Sequence, residues 1–372
     1  SGPGLAVGVT ELDPLLVAAP GAMDVPQPLA HWRDELAALH PAYYRLVLDW
    51  AKLQPSPLAP PNLDERQTGC MRATAPCVPW TGVRDQLRAL ASRQRQGGWQ
   101  ALVVITDTPA WAATPPSGCR GGATGTVGAP VRADALNAYR ALVADVLGAA
   151  RQAGAQLRYW SPWNEPNLSY FLAPQRAACN ADAPSVAAQA YVPLARALEQ
   201  ALAADPEPHA LALAELSGVV RPSPKRTTVA QFVGALPRDL VCSAAVLTQH
   251  SYVGGPDPVP ALASAYEQRG CGRRLPPIWI TETGVGAVSS RLAAARGIAD
   301  DAQGCRLLHD RLVAWWRDPR VTAAFQYTFR EDPLFPTGLV SADLARARPE
   351  LREWQAWGAR PSPSARPPGA AC

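Results

Sequence analysis

The chain has 372 residues, 48% of them apolar and 18% charged, with a formal net charge of +4. That is enough apolar material for a large core, and too little clustered basic charge for a nucleic-acid or membrane-surface partner. No apolar run approaches the roughly 20 residues of a membrane helix, and the eight cysteines and five histidines show no CxxC, HxxxH or HExxH spacing that would call for a metal or other cofactor.

Short apolar strand candidates follow one another along the chain, each succeeded by a longer stretch with helical spacing. They are residues 4–9 (GLAVGV), 43–50 (YYRLVLDW), 101–106 (ALVVIT), 157–161 (LRYWS), 210–215 (ALALAE), 246–252 (VLTQHSY), 277–282 (PIWITE) and 323–329 (AAFQYTF). Between them, Leu136, Tyr139, Leu142, Val143, Val146, Leu147 and Ala150 recur at three and four residues and predict one apolar helical stripe. Cys305, Leu308, Leu312, Trp315 and Trp316 predict another. Eight such alternations predict a (β/α)8 barrel. The rival, a doubly wound open sheet, is weakened because no GxGxxG turn follows the first strand. Residues 1–358 read as a single catalytic domain and 359–372 as a Pro-rich C-terminal tail.

Unusually long connections, 51–82, 107–133 and 162–184, follow the second, third and fourth strands. In a barrel all three lie at the C-terminal face, where active sites are built. Cysteines gather in them, and an even cysteine count spread through loops predicts disulfides and a secreted or extracytoplasmic protein. Cys70 is close enough to Cys77 in sequence to close a small loop. Cys119 with Cys179 would join neighbouring connections, and the other four cysteines are left unassigned.

The C-terminal strand tips offer a short set of carboxylates: Asp49, Asp107, Glu165, Glu215, Glu282, Glu331 and Asp332. No nucleophile elbow, metal spacing or P-loop competes with them. Two carboxylates suffice for glycosidic-bond hydrolysis, one to protonate the leaving oxygen and one to attack or to activate water. Glu165 stands beside Asn164, whose amide can reach a sugar hydroxyl, and near Trp160 and Trp163, whose rings could stack on a sugar. Glu282 precedes a Gly-rich turn. Glu215 reads as a possible binding carboxylate, while Asp49, Glu331 and Asp332 are expected to pair with arginines such as Arg330.

With these residues in place the sequence resembles the clan A retaining glycoside hydrolases. SPWNEPN on the fourth strand is similar to their acid/base motif and IWITETG on the seventh to their nucleophile motif. YYRLVLDWAKLQP resembles the second-strand segment whose Arg, here Arg45, supports the nucleophile. TPAWAA resembles the third-strand loop that supplies an aromatic, here Trp111, and QHSY the sixth-strand residues that flank the nucleophile, here His250 and Tyr252. FQYTFREDP with the later TGLV resembles the eighth-strand region of family 39-like members. Many clan members place a Trp on that strand where this chain offers Tyr327 and Phe329. Trp50 and Trp111 read equally as loop packing or as sugar platforms.

The resemblance implies Glu282 as nucleophile and Glu165 as acid and then base, with Arg45 and Tyr252 holding Glu282 ionised. It implies a carbohydrate substrate and a retaining double displacement by a protein expected to be monomeric. The alternatives are a transglycosidase on the same barrel and a barrel that binds carbohydrate without catalysis.

Overall fold

The computed structural model describes residues 2–119 and 125–372. Eight parallel strands close into a barrel in chain order: β1 (Ala6–Thr10), β2 (Tyr43–Asp49), β3 (Gln100–Thr106), β4 (Tyr159–Ser161), β5 (Ala210–Leu216), β6 (Val246–His250), β7 (Ile278–Thr283) and β8 (Val321–Tyr327), which pairs back onto β1. Each falls on a segment expected to be a strand, so the architecture is the (β/α)8 barrel.

Alternation along the strands sends one set of side chains inward. Ala6, Leu102, Val104, Ala212, Val246, Trp279, Ala323 and Phe325 form a cluster of their own, with Tyr43 and Tyr159 packed against it. The Tyr43 and Trp279 rings lie 4.3 Å apart and Tyr43 stacks on Phe325 at 5.8 Å, so aromatic surface plugs the lower barrel. Gly8 makes room for this plug: a Cβ there would meet Phe325 Cγ at 2.5 Å.

The outward set packs beneath the helices. Helix Leu136–Ala153 buries Tyr139, Leu142, Val143, Val146, Leu147 and Ala150, the stripe expected from its spacing except that Leu136 is half-buried, and Gly154 at φ +77° ends it in a left-handed cap. Helix Asp301–Arg317 buries Cys305, Leu308, Leu312 and Trp315 and starts at Asp300, whose side chain accepts from the Gln303 N–H.

All eight cysteines are paired. Cys70–Cys77 and Cys119–Cys179 form as the sequence suggested, joined by Cys242–Cys271 and Cys305–Cys372. The second pair ties the connection after β3 to the one after β4. The tail runs under the opposite end of the barrel, where Leu5 N–H donates to the Pro363 carbonyl at 2.9 Å and Ala371 N–H to Glu353 at 2.8 Å. Among the described residues no helix is long and apolar enough to cross a membrane.

Candidate active site

Two irregularities in the ladder bring the key carboxylates inward. Between β5 and β6, Leu213 pairs with Leu247 and Leu216 with Gln249, so β5 spends three residues where β6 spends two. Between β6 and β7, Gln249 pairs with Ile280 but His250 with Glu282, so β7 holds the extra residue. Strict alternation from Ala212 and Trp279 would turn Glu215 and Glu282 outward. The bulges reverse that parity at the strand tips, a recurrent device beside active sites. Glu165 and Glu215 also take left-handed backbone conformations, φ +39° and +54°. Such non-glycine residues persist only where the surroundings hold them, and here the Glu165 N–H donates to the Glu215 carbonyl at 2.9 Å.

The result is a buried charge cluster. Arg45, inward on β2, donates from Nε to Glu215 Oε1 at 2.7 Å and from Nη2 to Asn164 Oδ1 at 2.8 Å, and its Nη1 lies 2.9 Å from Glu282 Oε1. Tyr252 donates its hydroxyl to Glu282 Oε2 at 2.6 Å. His250 sits among three carboxylates: Nδ1 is 3.3 Å from Glu282 and 3.5 Å from Glu165, and Nε2 is 3.4 Å from Glu215. Thr281 donates its hydroxyl to Glu215, and Thr248 accepts from the Glu215 N–H. One carboxylate oxygen each from Glu165 and Glu282 lies within 4.8 Å of the other and of a His250 nitrogen.

Charge balance follows from this geometry. Burial alone would lower the pKa of His250, but Glu282 and Glu215 raise it to about 10, so the ring is an imidazolium at neutral pH. Burial likewise opposes the ionised form of Glu215, yet Arg45 and His250 bring it down to about 2. At Glu282 the expected helpers are in place, since Arg45 and the Tyr252 hydroxyl both favour the ionised form, but they do not set the net direction. Burial moves it upward in spite of His250, Arg45 and the Tyr252 hydroxyl, with Glu165 adding to the rise. The cations reduce that cost without cancelling it, because the carboxylate has lost nearly all its water.

The same donors bear on metal binding. Glu165, His250 and Glu282 converge closely enough to share an ion. A ligating imidazole must be neutral, whereas this one is held protonated beside the Arg45 guanidinium, and both Glu282 oxygens already face donors. The set suits paired carboxylates better than a cation.

Other expected residues divide. Asn164 keeps its Nδ2 free of protein partners among the described residues, since its Oδ1 takes the Arg45 bond. Tyr327 ends β8 half-buried near Arg45, while Phe329 is fully buried. Trp111 is also half-buried, its indole donating to the Gln54 carbonyl at 2.8 Å. Trp50 and Trp163 correct the sequence reading. Both are 0% exposed, with Trp50 donating to Gln54 and Trp163 to the Phe171 carbonyl, so neither has a face for a sugar ring. Trp160 is buried in the same way. Glu215 is no binding carboxylate, having no exposed surface at all. Glu331 and Asp332 do pair with arginines, but with Arg348 and Arg72; Asp49 pairs with Lys52. Arg330 is engaged by the carbonyls of Gly69, Thr74, Pro76 and Ala342.

Sequence reasoning missed three contributors. Phe335 meets Tyr252 edge-on at 5.0 Å and Tyr327 at 5.8 Å, completing an aromatic rim beside Glu282. Asn167 bonds Ser217 and Thr227, anchoring the turn after Glu165 to the connection after β5. Thr281 fixes Glu215. Only Asn167 carried a signal, as the second Asn of the NEPN run.

No protein-family model and no curated protein matches the sequence. Solved structures do share the fold. An endoxylanase of glycoside hydrolase family 30 from Clostridium papyrosolvens C71 superposes with a TM-score of 0.55 at 11% identity, over 98% of this chain and 73% of that one. The family 53 catalytic domain from Ignisphaera aggregans gives 0.55 at 16% identity over 86% of each chain. A conserved exported protein from Bacteroides fragilis gives 0.58 at 13% identity, over 97% and 79%. At these identities the chain shares with them the barrel, a fold that glycoside hydrolases use.

Proposed function

We propose that the protein is a retaining glycoside hydrolase of clan A type acting on an oligo- or polysaccharide. One observation carries the reading: one oxygen of Glu165, in the turn after β4, and one of Glu282, at the tip of β7, lie within 4.8 Å of each other. Retaining enzymes place the pair about 5 to 5.5 Å apart, whereas inverting enzymes leave about 6.5 to 9.5 Å for a water. In this reading Glu282 attacks the anomeric carbon as Glu165 protonates the departing oxygen, giving a covalent glycosyl-enzyme. Glu165 then takes a proton from water, which attacks the same carbon and frees Glu282. Arg45, His250 and Tyr252 orient the nucleophile, and the free Asn164 amide donates to the hydroxyl beside the reacting carbon.

Retention of both glutamates among their supporting cations speaks against a binding barrel without catalysis. The eight paired cysteines support an extracytoplasmic location, and we propose a monomer that needs no cofactor. The family 39-like placement rests on the eighth-strand motif alone, since two of the solved structures compared above carry families 30 and 53 in their names and the third carries none. Xylan is the first substrate to try, because a structurally similar protein is an endoxylanase. A screen of aryl glycosides and polysaccharides should find hydrolysis, and NMR should show a first-formed sugar of retained configuration. An inverted first product refutes the mechanism. Transfer to an added alcohol in place of water would identify a transglycosidase.

A further inference from the structure

At the end of the barrel away from the carboxylates, the first residues of several strands surround a cavity of about 670 Å³. Tyr43 opens β2, Tyr159 opens β4 and Trp279 is the second residue of β7, so the underside of the aromatic plug faces this space. The Tyr43 and Tyr159 rings lie 4.3 Å and 4.7 Å from that of Trp279 and 6.4 Å from each other. Trp279 is almost wholly covered, whereas both tyrosines are half-buried. The two phenol rings are therefore the accessible aromatic surface.

The side walls are apolar and poor in backbone donors. Val246, Leu275, Pro276, Pro277 and Pro319 supply them, and proline has no N–H to offer. The carbonyls of Arg158, Pro277 and Arg320 already accept from the N–H groups of Ala210, Leu247 and Ile278.

Charge in the lining is one-sided. Among the described residues it contains no Asp, Glu, Asn or Gln, but three arginines, Arg158, Arg274 and Arg320. Arg320 is matched, since its Nε and Nη2 bond Asp318. Arg158 and Arg274 are exposed, and neither guanidinium has a hydrogen-bonded or ionic partner among the described residues; that of Arg158 lies 5.6 Å from the centre of the Tyr159 ring. The Tyr43 and Tyr159 hydroxyls likewise bond to no described residue, and burial, with Tyr159 adding to it, raises the Tyr43 pKa to about 12, so that hydroxyl keeps its proton.

These walls select a ligand by elimination. A cation would meet two unpaired guanidiniums. A sugar would find no carboxylate or amide to accept from its hydroxyls, and inorganic phosphate would leave the phenol faces and prolines without a partner. A flat organic anion satisfies both halves: its carboxylate takes the guanidinium fork and the phenol hydroxyls, and its ring lies against the tyrosines. The volume falls within the roughly 300 to 1,000 Å³ of small-molecule sites. We propose that this lower cavity binds an aromatic carboxylate, at a site separate from the paired glutamates and independent of their chemistry.

The test is calorimetric titration of the full chain with naphthoate, neutral naphthylmethanol and cationic naphthylmethylamine. Naphthoate should bind at least about tenfold more tightly than the alcohol, the scale of a charge-assisted hydrogen-bonded pair, and the amine should not bind. Added salt should weaken naphthoate binding, because both arginines are exposed. Combining Arg158→Gln with Arg274→Gln should erase the preference for the anion and leave the melting temperature unchanged, while Arg158→Lys with Arg274→Lys should keep most of the preference. Tyr43→Phe should weaken naphthoate a few-fold. Absence of naphthoate binding, or equal affinity for acid and alcohol, overturns the site. Naphthoate binding that the double Gln variant leaves intact also overturns it, and would move the anion to Arg45 and His250 at the mouth. The hydrolase reading stands or falls separately, by the product screen.

Discussion

The two ends of the barrel interior are built from the same eight strands by opposite means. At the lower end, Tyr43, Trp279 and Phe325 keep strict alternation and fill the centre with apolar surface. At the mouth, β5 and β7 break alternation to direct Glu215 and Glu282 at Arg45 and His250. Burying apolar rings stabilises roughly in proportion to area. Burying a charge cluster costs desolvation that its partners only partly offset. The lower end thus supplies stability, and the mouth uses some of it to hold charged groups in place.

The sharpest test of that division concerns the two glutamates. Replacing Glu282 with Ala should reduce turnover by several orders of magnitude with every substrate. Glu165→Ala should still be glycosylated by an activated aryl substrate and then stall, for want of a base. Azide needs no base, so it should rescue Glu165→Ala to a glycosyl azide of retained configuration. With Glu282→Ala it should occupy the vacated space and give the inverted product. Swapped rescue products would reverse the assignment.

Next in size is a contrast between Glu215→Gln and Phe325→Ala. The first removes the carboxylate that Arg45 and His250 share, and breaking such a buried pair costs about 3 to 5 kcal/mol; kcat should fall as well, because both cations position Glu282. The second opens a cavity worth about 3 to 5 kcal/mol, but kcat of the folded protein should hold. Denaturant melts and kcat measured on the same preparations separate the two, and an unchanged kcat in Glu215→Gln would remove its positioning role.

The ends should also differ in pH response. Burial raises Glu11 to about 7 and Asp13 to about 6 from 4.5 and 3.8. Burial with the neighbouring Asp49 raises Asp107 to about 7, and His250, against its burial, is raised from 6.5 to about 10 by Glu282 and Glu215. Each holds its proton more tightly folded than unfolded, so stability falls as pH rises through each window. Glu215 runs the other way: lowered from 4.5 to about 2, it contributes stability above 4.5 that is lost as pH falls towards 2. The melting temperature should therefore peak at about pH 5 and decline towards pH 8. Phe325→Ala should lower the whole curve without changing its shape. A wild-type curve that still rises from pH 5 to 8 would contradict this account of the mouth.

The smallest expected effect belongs to Trp111. If its half-buried ring lies against a sugar away from the reacting bond, Trp111→Ala should raise KM a few-fold and leave kcat nearly constant. Trp163→Ala should instead lower the melting temperature, since that ring is wholly inside. A fall in kcat alone for Trp111→Ala would place it closer to the chemistry.

Much of this was legible before the structure. Eight apolar runs, each short enough for a strand and followed by a 3.6-period stripe, leave few folds other than the barrel. Glu165 and Glu282 were legible because each stands where an apolar run ends, and in a barrel all such ends converge. Trp163 was misread, and Trp50 stayed open between packing and platform, because sequence shows that an aromatic is near the mouth but not which way it faces. The same blindness hid Phe335, which arrives from a loop with no period to read.

The sequence by itself determined the strands, the helices and the tips where chemistry could sit, because those depend on periodicity and local chain stiffness. Only the tertiary structure decided which tip residues face one another. A single extra residue in β5 and another in β7 invert the side on which Glu215 and Glu282 project. Whether an extra residue is accommodated as a bulge depends on the register of the neighbouring strand, a relation between segments distant in the chain that no local pattern encodes.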